Sequence, residues 1–220
     1  MKKVLVAMIL SIMVLSFSLP AAGQAGSNSL VDQLLEAAQK GDAVAVEQLL
    51  GKGVSIDARD MGGNTALIVA AASGHADVVD LLLKRGASID AKDNSGDTAL
   101  HFAVMVSNIE GVKLLLNKGA NINVQEKDGM TPLMFSIVTG STELVKLLLA
   151  NGANTEARDS HGFTALMAAS GGGLTELVKL LLDKGANINA KSDDGTTALI
   201  LAVRNGKPEV EKLLREKGAT

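Results

Sequence analysis

Gly63-Asn64-Thr65-Ala66-Leu67-Ile68-Val69-Ala70-Ala71-Ala72-Ser73-Gly74 is the stretch on which the fold turns. Thr65 has the side chain to cap the first turn of a short helix, Leu67 and Ala70 to Ala71 supply its buried stripe, and Gly74 can end it in the left-handed region. A second helix is predicted directly afterwards, from about Ala76 to Arg85. Val78, Val79, Leu81, Leu82 and Leu83 give it a broad apolar face, and Gly86 stops it. Ala87 to Gly96 then reads as an extended arm and a polar turn leading to the next unit.

The unit recurs along the chain. Thr65, Thr98, Thr131, Thr164 and Thr197 form a column spaced by 33 residues, and Gly53, Gly86, Gly119, Gly152, Gly185 and Gly218 form a second with the same period. A fixed period of this size marks a stack of thin units, none of which can bury its apolar face alone. The prolines fall where such a scheme admits them: Pro20 lies outside the units, Pro132 at the first position of a first helix and Pro208 at the first position of a second helix. Ala70, Ala103, Ser136, Ala169 and Ala202 share one aligned position, where neighbouring helix pairs would be too close for a larger side chain.

Gly129-Met130-Thr131-Pro132-Leu133, Thr98-Ala99-Leu100-His101 and Leu81-Leu82-Leu83-Lys84-Arg85-Gly86-Ala87 resemble the ankyrin consensus, with its Gly-x-Thr-Pro-Leu-His opening and later Leu-Leu-x-x-Gly-Ala. The resemblance implies an all-α repeat solenoid of six ankyrin repeats, each a helix-turn-helix plus a β-hairpin or loop. The expected units are 27–60, 61–93, 94–126, 127–159, 160–192 and 193–220. Ala66, Ala99, Ala165 and Ala198 replace the family's Pro, which removes rigidity without forbidding the helix. The first unit lacks the signature and carries Gln33, Glu36, Gln39 and Lys40. The last ends on Lys212, Arg215, Glu216 and Lys217. Both are expected to act as caps that turn polar groups to water.

Composition agrees with thin layers. Of 220 residues 47% are hydrophobic, yet the chain has only four Phe and no Trp or Tyr, so Leu, Val, Ile and Ala must fill the interior. The absence of Cys excludes disulfides, thiolate metal sites and cysteine nucleophiles. Twenty-four acidic residues outnumber 21 basic ones. That balance gives no attraction to a phosphate backbone or an anionic bilayer, and nucleic acid is not an expected partner.

The N-terminus reads as an address. Met1-Lys2-Lys3 is a short positive segment, and Val4 to Leu19 is apolar apart from Ser residues and is closed by Pro20. Ala21-Ala22-Gly23-Gln24-Ala25 supplies the small residues needed for cleavage after Ala25 or after Gly23. Residues 1–25 thus resemble a bacterial signal peptide, and the expected location is periplasmic or secreted. Retention of the segment would instead make it a membrane anchor; no Cys is present to carry a lipid.

Residues that could carry chemistry have structural readings. His101 stands in the Thr-x-Leu-His motif and His75 follows Gly74, positions at which the resemblance implies structural hydrogen bonds. His161 lies at a predicted hairpin tip. Asp60, Asp93, Glu126 and Asp159 recur just before each turn, where a carboxylate accepts backbone N–H groups. Gly171-Gly172-Gly173 follows a predicted helix and lacks the Lys-Ser/Thr ending of a phosphate loop. No cofactor, metal or catalytic residue is expected, and the chain is not expected to be an enzyme. The alternative class, an envelope enzyme or small-molecule binder, would require convergent polar groups that the sequence does not show.

In ankyrin proteins partners bind the concave surface formed by hairpin tips and first helices. Carried onto this sequence, that surface includes Met105, Val106, Met130, Val138, His161, Phe163 and Arg204. The apolar members are expected to meet a protein partner, with Phe163 and Met130 exposed at the tips and Phe163 as the anchor. The chain is expected to act as a monomer, either as a scaffold in the envelope or as a secreted effector bound to a host protein.

Overall fold

The computed structural model describes residues 29–220; the segment read as a signal peptide and the first residues of unit one lie outside the described residues. The described residues form twelve helices in six antiparallel pairs: α1 (Leu30–Lys40) and α2 (Ala43–Gly51), α3 (Ala66–Ala72) and α4 (Ala76–Lys84), α5 (Ala99–Met105) and α6 (Ile109–Asn117). The series continues with α7 (Pro132–Thr139) and α8 (Thr142–Ala150), α9 (Ala165–Gly172) and α10 (Thr175–Asp183), α11 (Ala198–Arg204) and α12 (Pro208–Glu216). Each pair falls within one expected unit.

The caps explain where the helices start. The hydroxyls of Thr65, Thr131, Thr164 and Thr197 accept from the backbone N–H three residues on, and Ser29 and Asp32 exchange the reciprocal bonds of a capping box. First helices pack against their own second helix and against the first helices of both neighbours, and second helices form an outer row. Leu34, Leu67, Leu100, Leu133 and Leu166 are buried at one aligned position; Leu82, Leu115, Leu148, Leu181 and Leu214 are buried at another. Each such side chain contributes about 1.5–3 kcal/mol by leaving water. The aligned small residues Ala70, Ala103, Ser136, Ala169 and Ala202 have no solvent exposure, as their spacing implies.

The arms between units were expected as β-hairpins or loops. Among the described residues they contain no strand; each is a turn closed by a short backbone bond, as from Asp60 N–H to the Asn64 carbonyl and from Asp159 N–H to the Phe163 carbonyl. Their order comes from ladders that run along the stack. Backbone N–H groups of Asn94, Lys127, Ser160 and Asp193 donate to carbonyls of Gly62, Ser95, Asp128 and His161 on the preceding tip. Arg59, Lys92, Gln125 and Arg158 each donate to the carbonyl of the residue that succeeds them in the repeat, namely Lys92, Gln125, Arg158 and Lys191. A third ladder joins Asp57 to Ser88, Asp90 to Asn121, Asn123 to Asn154, Glu156 to Asn187 and Asn189 to Thr220. Short arms therefore acquire from their neighbours the partners that strands would have supplied.

The two ends differ. Unit one turns Glu36 and Lys40 to water, and they pair with each other. At the other end α12 is polar outside, but α11 leaves Ile200 46% and Val203 48% exposed, whereas Ile68, Met134 and Met167, which align with Ile200, are at most 4% exposed under the following unit. Polar capping of the last unit is thus confined to its second helix.

Ser107, just after α5, has φ +57°, at a position where the other units place Gly74, Gly140, Gly173 and Gly206. A Cβ in that region costs about 1–2 kcal/mol, and part of this returns when the side chain is removed. Ser107→Gly is accordingly expected to stabilise the protein by about 1 kcal/mol, read as a higher urea midpoint at unchanged m. A lower midpoint would show that the serine hydroxyl contributes more than its backbone costs.

Candidate functional site

The tips are built by the acids that recur before them. Asp60 accepts from Asn64 N–H at 2.8 Å; Asp93 accepts from Ser95 and Asp97; Glu126 accepts from Asp128 and Met130; Asp159 accepts from His161 and Phe163. These carboxylates hold turns, and the inter-tip ladder holds the turns to one another. The result is a row of rigid tips with variable side chains, the kind of platform on which binding residues can be exchanged without loss of the scaffold.

Two rows of predicted partner residues lie on this platform. Met130 and Phe163 occupy one aligned tip position on neighbouring units. Met105, Val138 and Arg204 occupy another, at the C-terminal ends of α5, α7 and α11, where α9 has Gly171. Arg204 and His161 are exposed, and Val106 is 38% exposed. Phe163 and Met130 are not the open anchors expected from sequence. Both are half-buried and packed against the core, as is Met105. The backbones of Phe163 and Met130 are fixed by Asp159 and Glu126, and the side chains thicken the inter-unit core while presenting part of their surface. The fully exposed apolar tip residue is Met61, in unit two.

Among the histidines, His75 donates from Nε2 to the Gln39 carbonyl at 2.9 Å and so ties unit two to unit one. His161 is exposed, its Nδ1 3.2 Å from the Ser160 hydroxyl. His101 is fully buried, with Nδ1 accepting from Thr98 N–H at 3.2 Å and its ring edge-on to Phe135 at 5.4 Å. Desolvation holds its pKa down at about 4, against the opposing pull of backbone groups of Met130 and Val124. Asp97 lies 3.6 Å from that Nδ1. Its burial, reinforced by the nearby acids Asp93, Glu126 and Asp128, pushes its pKa up to about 7. Asp97 stands at the tip position that Met130 and Phe163 share, and its spacing of four from His101 is the signal that the sequence carries.

The sequence profile described as ankyrin repeats (3 copies) matches residues 34–126, 119–192 and 158–220. The chain belongs to the ankyrin-repeat family. Its solved structural relatives include the ankyrin repeat domain of Bcl-3, a member of the IkappaB protein family, at 31% identity and TM-score 0.79 over 86% of each chain. An ankyrin repeat domain from Acinetobacter baumannii AYE is 34% identical with TM-score 0.78, covering 85% of this chain and 98% of that one. A structure of a predatory endopeptidase from Bdellovibrio bacteriovorus in complex with an immunity protein contains a chain 31% identical with TM-score 0.76, covering 84% of this chain and 97% of that chain. No curated protein shows significant similarity to the sequence.

Ankyrin stacks are typically non-enzymatic interaction modules. Among the described residues no group of three or more His, Asp or Glu side chains is arranged to hold a metal ion. Gly171 and Gly172 end α9 and Gly173 caps it in the left-handed region. A helix C-terminus carries partial negative charge, the wrong sign for a phosphate. A depression of about 340 Å³ on the outer face, between α2 and α4, is lined by Ala43, Val44, Glu47, Gln48 and Leu81 and brings no convergent polar chemistry together. No helix of the described residues is long and apolar enough to cross a membrane.

Proposed function

We propose that this ankyrin protein is an exported, non-enzymatic scaffold that binds a protein partner on the surface made by its hairpin tips and first helices, in the periplasm or outside the cell. One observation carries the reading. The columns that build the stack hold the same residue types from unit to unit, while the exposed tip position carries Met61, Asn94, Lys127, Ser160 and Asp193 on backbones of the same geometry. A surface that varies on a constant frame suits recognition of one irregular protein surface. The N-terminal segment of residues 1–25, removed on export, supports the location. The endopeptidase complex of a relative makes an envelope peptidase the first partner class to test; a host protein met after secretion is the second.

Crosslinkers placed at Val106 and His161 in cells that express the full chain are expected to trap a protein from the exported fraction, with the mature chain beginning after Gly23 or Ala25. Val106→Glu combined with Arg204→Glu is expected to weaken that partner at least tenfold, about 1.4 kcal/mol, with far-UV circular dichroism unchanged. Gln48→Glu on the outer row is the control and is expected to have no effect. Equal losses from both sets would place the interface elsewhere.

A further inference from the structure

The pair of half-buried Asp97 and fully buried His101 has no counterpart in the other units. The same two positions hold Asn64 and Ile68, Met130 and Met134, Phe163 and Met167, and Thr196 and Ile200. Only the third unit therefore places two titratable groups at its junction with the fourth. We propose that this pair carries one proton, on the Asp97 carboxyl beside His101 Nδ1, and that the exchange of this proton on folding keeps the junction's stability level through mildly acidic conditions.

The geometry places the proton. Thr98 N–H points at Nδ1, so Nδ1 is an acceptor and the ring carries its hydrogen on Nε2. Asp97 Oδ1 is buried, has no hydrogen-bond partner, and lies 3.6 Å from Nδ1. An ionised carboxylate there would aim one lone pair at another where water does not reach, an arrangement that costs free energy on both sides. A proton on Oδ1 removes that repulsion and leaves no buried charge facing Nδ1. The imidazole cannot supply that proton from Nδ1, because an N–H there would face the Thr98 N–H.

The surrounding charges act in the same direction. Asp93 from the preceding arm and Glu126 and Asp128 from the next tip all face Asp97 and disfavour a further negative charge; Lys92 opposes them, and its ammonium is bonded to the Gln125 carbonyl. Around His101 lie the backbones of Val124 and Met130, the ring of Phe135, and Lys92, none of which favours an imidazolium enough to offset burial.

The consequence follows from counting protons. Asp97 is raised from 3.8 to about 7, so its stabilising contribution is full below 3.8 and is lost as pH rises through 7. His101 is depressed from 6.5 to about 4, so its contribution is full above 6.5 and is lost as pH falls through 4. Between these limits the unfolded chain carries one proton on His101 and the folded chain carries one on Asp97. Equal numbers of bound protons mean no slope.

The test compares urea unfolding at pH 4.5 and 6.5 for the intact sequence, Asp97→Asn, His101→Met and the double variant, which serves as the reference for all other titrating groups. Methionine is the residue that units four and five place at the His101 position, so the fold has precedent for it. Relative to the double variant, the intact protein is expected to be level. Asp97→Asn is expected to lose about 40-fold in its folding constant as pH falls between those values, and His101→Met to lose about 60-fold as pH rises. Carboxyl-carbon NMR on the intact protein should show Asp97 titrating near neutrality. Parallel slopes for the intact protein and Asp97→Asn, or an Asp97 carboxyl that titrates near 4, would overturn the proposal.

Discussion

Leu148→Ala is expected to cost about 3 kcal/mol and to divide the unfolding of the stack into two steps. Leu148 has no solvent exposure, and α8 packs against α7 within its unit and against α6 and α10 on either side. Truncation removes the transfer free energy of the side chain and leaves a cavity that three helices cannot close together. In a stack each unit draws stability only from its neighbours, so a weak fourth unit isolates units five and six. Two units are too few to bury a continuous core, and α11 already leaves Ile200 and Val203 half-exposed at its open face. Amide exchange should therefore show protection lost together across α7 to α12, while α1 to α4 keep theirs. A uniform loss, with one transition of unchanged m, would mean that the stack behaves as a single cooperative block.

How much of this was legible beforehand depends on the range of the interactions concerned. The helix starts, the turn acids and the glycine column were readable because each depends on residues within a few positions: Thr65 bonds Ile68, and Asp159 bonds Phe163. Repetition then multiplied a weak local signal into a secure one. What could not be read was depth. Phe163 and Met130 stand at tips, but their exposure depends on how closely the next unit approaches, a distance that no single repeat encodes. The protonation of Asp97 was hidden for the same reason, since beside its burial the charges of Glu126 and Asp128 on the neighbouring tip raise its pKa. The ladders from Arg59, Lys92, Gln125 and Arg158 recur at the repeat period. Their residue types vary, however, and only the donor function is constant, so identity alone did not reveal them.

The second large effect separates two glycines that share a backbone conformation. Gly119, at the end of α6, has φ +91°, and Gly129, at the tip of unit four, has φ +79°. A Cβ at Gly119 would meet open space, so Gly119→Ala is expected to carry only the left-handed strain of about 1 kcal/mol. A Cβ at Gly129 would lie 3.0 Å from the Asp159 carbonyl carbon and from Ser160 N, which belong to the next tip. Those atoms are backbone, and Ser160 N–H is held by the Asp128 carbonyl at 2.7 Å, so they cannot give way without breaking the inter-tip ladder. Strain and overpacking together should bring Gly129→Ala to about 3 kcal/mol. The same comparison can be made at Gly195, which has φ +80° but no following tip among the described residues, so that its Cβ would meet nothing there. Gly195→Ala should therefore resemble Gly119→Ala in a urea titration and not Gly129→Ala. If all three substitutions cost the same, the tip glycines serve the turn alone, and the close approach of one tip to the next is not what selects them.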